Sequence, residues 1–121
     1  MINMESSIFS LEKSWEESIN KTVELLRVEN VLELGVLTVE SNTKLPAEGF
    51  SIHENSHEFA YVIEGEVVIG TDEGEKVVKA GELLYNKPRT PHYTFNRSSK
   101  PAKIFWFVIP PLKTSIKKPK R

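Results

Sequence analysis

Three histidines and one glutamate are the residues of this chain best suited to chemistry with a metal. All three histidines fall in two short segments. The first, SIHENSHEFAYVIEG from Ser51 to Gly65, holds His53, His57 and Glu58. The second, GELLYNKPRTPHYTFN from Gly81 to Asn96, holds His92. Imidazole nitrogen and carboxylate oxygen are common ligands of first-row transition metals. Two imidazoles and a carboxylate on one side of an ion leave positions open for water, substrate or oxygen. Fe, Mn, Ni, Co and Zn all suit such a set, and affinity order alone does not choose among them. A single histidine at a strand end is more often a hydrogen-bonding group than a ligand. The grouping therefore carries the reading.

Composition narrows the alternatives. The chain has 121 residues and no cysteine, which excludes disulfides, a thiolate nucleophile and Cys-type zinc or iron–sulfur sites. One domain with a modest core fits that length. No run of about 18 apolar residues is present, so no helical membrane span is expected. The N-terminal residues lack a basic start followed by an apolar stretch, so a cytoplasmic location is expected. Net charge is close to zero but uneven. The last nine residues carry Lys113, Lys117, Lys118, Lys120 and Arg121 and no acid, against an acidic body. Such a tail can bind nucleic acid. Here a disordered solubilising tail is the expectation, because the body repels phosphate and the tail offers no aromatic for stacking.

Short strands must hold the site residues. Ser10 is placed to cap a helix from about Leu11 to Asn20, with Leu11, Trp15 and Ile19 as its apolar stripe. From Thr22 the pattern turns β-rich, with two strands broken near Glu29–Asn30. After Leu45-Pro46 come the strands FAYVI, VVIG, KVVK, LLY, HYTFN and KIFWFVI, joined by Gly, Asn and Pro turns. This spacing predicts an antiparallel barrel or sandwich. Ile104–Ile109 is apolar on both faces, so one face fills the interior. The other needs cover from the N-terminal segment or a second subunit, and a homodimer is expected.

The two segments resemble the paired motifs of the cupins, small jelly-roll β-barrels. Glu58, six residues and Gly65 match the second half of the first motif. His53, four residues before Glu58, matches its second histidine. Gly81, Pro88, His92 and Asn96 match the second motif, with one extra residue before the proline and one fewer after it. The resemblance implies an all-β, cupin-type jelly-roll antiparallel barrel with a short N-terminal helix. Its implied division is 1–30 helix and extension, 31–112 barrel and 113–121 basic tail. It also implies a metal site of His53, Glu58 and His92. The family's first histidine falls on Ser51, a weak hydroxyl donor, and His57 is additional.

Strand alternation sorts these residues. Glu58, Ala60 and Val62 share one face; His57, Phe59, Tyr61 and Ile63 share the other. The family pattern turns Glu58 inward and leaves His57 outside. His92, Thr94 and Asn96 share a face, as do Ser51 and His53. Arg89, Tyr61, Tyr93 and Asn96 are candidate contacts for a small-molecule ligand, with Tyr85, Trp106 and Phe107 as further aromatic candidates. Core or surface roles are the plainer reading of each, and Asn96 suits a turn. Three functions fit: a metal-dependent oxygenase, isomerase or lyase with Glu58 as ligand; a binding module without turnover; and a vestigial barrel that serves assembly. No helix-turn-helix is readable, and nucleic acid is not an expected partner.

Overall fold

The computed structural model describes residues 5–112. The basic residues 113–121, where the tail was expected, lie outside the described residues. Nine strands follow one short helix: α1 (Glu12–Glu17), β1 (Val23–Val28), β2 (Leu32–Val39), β3 (Thr43–Leu45), β4 (His57–Glu64), β5 (Glu66–Thr71), β6 (Gly74–Lys79), β7 (Leu83–Asn86), β8 (His92–Asn96) and β9 (Ala102–Ile109). They form two sheets, ordered β1-β2-β9-β4-β7 and β3-β8-β5-β6. Every strand pair is antiparallel. This is the expected all-β jelly-roll class, but its two sheets are not hydrogen-bonded into a closed barrel. No helix among the described residues is long and apolar enough to cross a membrane.

Helix α1 departs from the expected Leu11–Asn20. Leu11, not Ser10, occupies the N-cap position, and no side chain caps it. The helix ends early because Ser18 Oγ donates to Trp15 O at 2.8 Å and Asn20 takes a left-handed backbone. Ser18 and Thr38 hydroxyls then meet at 2.9 Å, and Thr38 N–H donates to Ser18 O, which fastens this segment to β2. Strand β1 is paired to β2, so the sheet begins upstream of residue 31. Strand β3 was not read in the sequence. Its three residues are too few to show alternation.

Side-chain alternation divides the five-stranded sheet cleanly. Val39, Ala60, Val62, Ala102 and Ile104 face the second sheet and form the core with Val67, Ile69 and Val78. Phe59, Tyr61, Phe105 and Phe107 lie on the opposite face, by the same registers. Gly35 is required by close approach. It lies opposite Trp106 in the β2–β9 pair. A Cβ there collides with the Val23 carbonyl and with the Trp106 ring. Gly65 joins β4 to β5 with φ 80°, a conformation that side chains resist.

Candidate metal centre and cavity

The register of the five-stranded sheet sets one row of inward residues across all five strands. Arg27 pairs with Glu33, Glu33 with Val108, Val108 with Glu58, and Glu58 with Asn86. Most of this row is polar, and it borders a cavity of about 370 Å³ between the sheets. Deeper in the cavity the lining is apolar, with Leu37, Val62, Ile69 and Ile104 among its residues.

His53, Glu58 and His92 meet at the polar end. One ligating atom from each lies within 4.8 Å of the others. His92 Nε2 is 2.9 Å from Glu58 Oε1, and His53 Nε2 is 3.5 Å from the same oxygen. Three elements converge to make this group. Glu58 is the second residue of β4, and His92 opens β8. His53 sits in the loop between β3 and β4, held to the opposite loop by Arg89 N–H donating to His53 O at 2.8 Å. Ser51 forms an isolated backbone bridge with His92, with N–H to O distances of 2.8 and 3.0 Å. That backbone pairing sets Ser51 beside His92, and Ser51 lines the same cavity.

The far ring nitrogen of His92 is anchored. His92 Nδ1 lies 2.9 Å from Thr90 O. A carbonyl only accepts, so Nδ1 carries a proton, and Nε2 donates a second one to the Glu58 carboxylate; loss of that second proton frees the Nε2 lone pair for an ion. Metal-binding histidines are commonly oriented by such a bond from the far ring nitrogen. The two spacings to Glu58 also fit one ion. Ligands about 2.1 Å from a common centre are about 3.0 Å apart at a right angle and about 3.4 Å apart at the tetrahedral angle. Burial works to raise the Glu58 pKa, but the hydrogen bond and charge of His92, with His53 and Asn86, outweigh it and hold the carboxyl below its ordinary value. Burial works to lower His92, and the Glu58 hydrogen bond and charge reverse that, so His92 is raised. For His53 burial prevails and the pKa falls.

The remaining candidates fall elsewhere. His57 points to the outer face, where its Nδ1 lies 2.7 Å from the Tyr85 hydroxyl. Tyr61 is on that outer face too and does not reach the cavity, because alternation opposes it to Ala60. Tyr93 is turned away by the same rule: its ring lies against Gly70 and its hydroxyl donates to Glu75. Arg89 is exposed in the β7–β8 loop with φ 67° and does not line the cavity. Asn96 is fully buried, but its side chain is used structurally. Nδ2 donates to Val39 O and Lys100 O, while Oδ1 accepts from Ser98. Of the other aromatics, Trp106 turns inward and Phe107 outward.

Two cavity residues were missed by sequence reasoning. Asn86 pairs with Glu58 across β4 and β7, and nothing local to LLYN reveals that neighbour. Glu33 had a visible signal: an acid in an apolar strand, on the same face as Gly35, Leu37 and Val39.

Comparison with known proteins agrees with this architecture. Residues 36–108 match the Cupin_2 family model, a cupin domain. The uncharacterised protein MJ1618 of Methanocaldococcus jannaschii is 36% identical over 59 residues, covering 49% of this chain and 47% of that protein. The chain thus matches about half the length of that relative. Among solved structures, an uncharacterised conserved protein with a double-stranded β-helix domain from Klebsiella pneumoniae superposes with a TM-score of 0.73 at 22% identity, over 88% of this chain and 91% of that one. BH2720 from Bacillus halodurans also gives 0.73, at 16% identity over 88% and 83%. At these identities the likeness is one of fold.

Proposed function

The chain belongs to the cupin family, and from that premise we propose that His53, Glu58 and His92 hold one divalent transition metal at the mouth of a small-molecule cavity. The observation that carries this is the spacing of the three ligating atoms, together with the Nδ1 anchor of His92. The ion supplies Lewis-acid polarisation of a ligand oxygen. Two imidazoles and one carboxylate accept Fe, Mn, Ni, Co or Zn. Glu58 is occupied as a ligand and does not double as a base. The apolar depth of the cavity takes the body of an organic molecule, and its size matches ordinary small-ligand sites of about 300–1,000 Å³.

The test is calorimetric titration of zinc into chelator-stripped, untagged protein. One site per chain is expected, abolished in the His53→Ala/His92→Ala double variant and largely kept in His57→Ala. Zinc uptake that survives the double change, or is lost with His57 alone, overturns the ligand set.

We also infer a homodimer. Tyr61, Leu83 and Tyr85 stand 41%, 58% and 49% exposed on the outer face of the five-stranded sheet. Half-buried Phe59, Phe105 and Phe107 continue the same surface. Helix α1 packs against β1 and β2 and leaves the β4 and β7 side open. A second copy covers that apolar surface.

A further inference from the structure

Glu33 is the cavity-lining carboxylate that the metal reading does not use. It stands in the same inward row as Glu58, two strands away, which is about 10 Å at ordinary strand spacing. The residue is only 8% exposed. Its Oε1 accepts from Arg27 Nη2 at 3.2 Å and from the Leu112 backbone N–H at 3.1 Å. Arg27 Nη2 also donates to Leu112 O at 3.2 Å, so the carboxylate is held rigidly. No Arg, Lys or backbone donor engages Oε2 among the described residues; burial first, and then the neighbouring Glu24 carboxyl, raise the Glu33 pKa.

A second observation lies on the same wall. Trp106 lines the cavity and is 7% exposed, and its Nε1–H has no hydrogen-bond partner among the described residues. The ring atoms next to that nitrogen press on Gly35, two residues from Glu33 on the same face of β2. A buried donor without an acceptor is costly, so this site gains from a bound acceptor. By register Trp106 lies diagonal to both Glu33 and Glu58, two residues along each flanking strand, and its indole ring is turned onto Gly35 on the Glu33 side.

One common group answers both needs. A hydroxyl donates through its hydrogen and accepts through its oxygen. We propose that Glu33 and Trp106 form a hydroxyl subsite, so that the cavity selects a small alcohol or polyol whose apolar body lies against Leu37 and Ile104. The hydroxyl donates to Glu33 Oε2 and accepts from Trp106 Nε1–H. A ketone of the same shape satisfies only the tryptophan. This rests on the reading of the cavity as a small-molecule site, and it does not depend on the metal.

The experiment uses chelator-stripped protein carrying Trp15→Phe, which leaves Trp106 as the sole tryptophan. Its indole ¹H–¹⁵N resonance is followed during titration with cyclohexanol and, separately, cyclohexanone, each to about 50 mM, a range that captures millimolar affinity. Cyclohexanol is expected to move the resonance saturably and to bind about tenfold tighter than cyclohexanone, the worth of one hydrogen bond to a charged group. Glu33→Leu is expected to remove that preference and Glu33→Gln to retain part of it. A resonance unmoved by cyclohexanol, or equal affinity for the ketone, overturns the proposal even if the variants fail to fold. Zinc titration of the same sample separates the two readings. Zinc bound without alcohol selectivity defeats the subsite alone; selectivity without zinc binding defeats the metal alone.

Discussion

At the scale of single residues, polar side chains divide between a reactive cluster and structural ties. Asn96 shows the second role. It links β8 to the Val39 carbonyl and to the Ser98–Lys100 turn. Asn96→Ala removes those bonds from a fully buried position and is expected to cost about 3 kcal/mol in urea unfolding. Zinc stoichiometry of the folded fraction stays at one per chain, whereas a ligand role predicts its loss. On the surface, the Arg97 hydrogen bond and then that of Tyr93 lower the Glu75 pKa to about 2. Its folded value lies below the ordinary 4.5, so its stabilisation is complete above that pH and is lost as pH falls toward 2. NMR titration of the Glu75 carboxyl is expected to give a midpoint near 2 in the wild type and one nearer 4.5 in Arg97→Ala. An unchanged midpoint in the variant contradicts the pairing.

At the scale of elements, alternation and register decide which side chains meet. Gly35 and Gly70 are equally tight points; at Gly35 an added methyl is driven into the Val23 carbonyl and the Trp106 ring. Gly35→Ala is expected to destabilise by about 3 kcal/mol and to shift Trp106 fluorescence in a Trp15→Phe background. A neutral effect on both contradicts the close packing of β2 on β9. Period-two alternation was readable in the chain, and it separates Glu58 from His57 as the structure does. The same rule places Tyr61 opposite Ala60 and Tyr93 opposite His92, so it already argued against those tyrosines as cavity contacts. Sheet order was less readable. β9 lies between β2 and β4, and β7 beyond β4, through crossovers that no local pattern records. Asn86 beside Glu58, and Glu33 in the Glu58 row, follow from that order. The motif spacings brought His53, Glu58 and His92 into one group in advance because they belong to a resemblance spanning both segments, not to either strand alone.

At the scale of the whole molecule, two sheets enclose a cavity with a ligand-competent trio at one end and an apolar outer face behind it. The uncovered part of that face predicts assembly. Light scattering at tens of micromolar is expected to report a dimer, and the Tyr61→Lys/Leu83→Lys double variant a folded monomer. A wild-type monomer contradicts the inferred interface. The central claim is the ion itself, and anomalous diffraction tests it most directly. Crystals of stripped, untagged protein are soaked in zinc and measured at the zinc absorption edge. The account predicts one peak per chain, about 2.0–2.2 Å from a ring nitrogen of His53, a ring nitrogen of His92 and a Glu58 oxygen. No peak at saturating zinc, or a peak at His57 and Tyr85 with the trio empty, contradicts it.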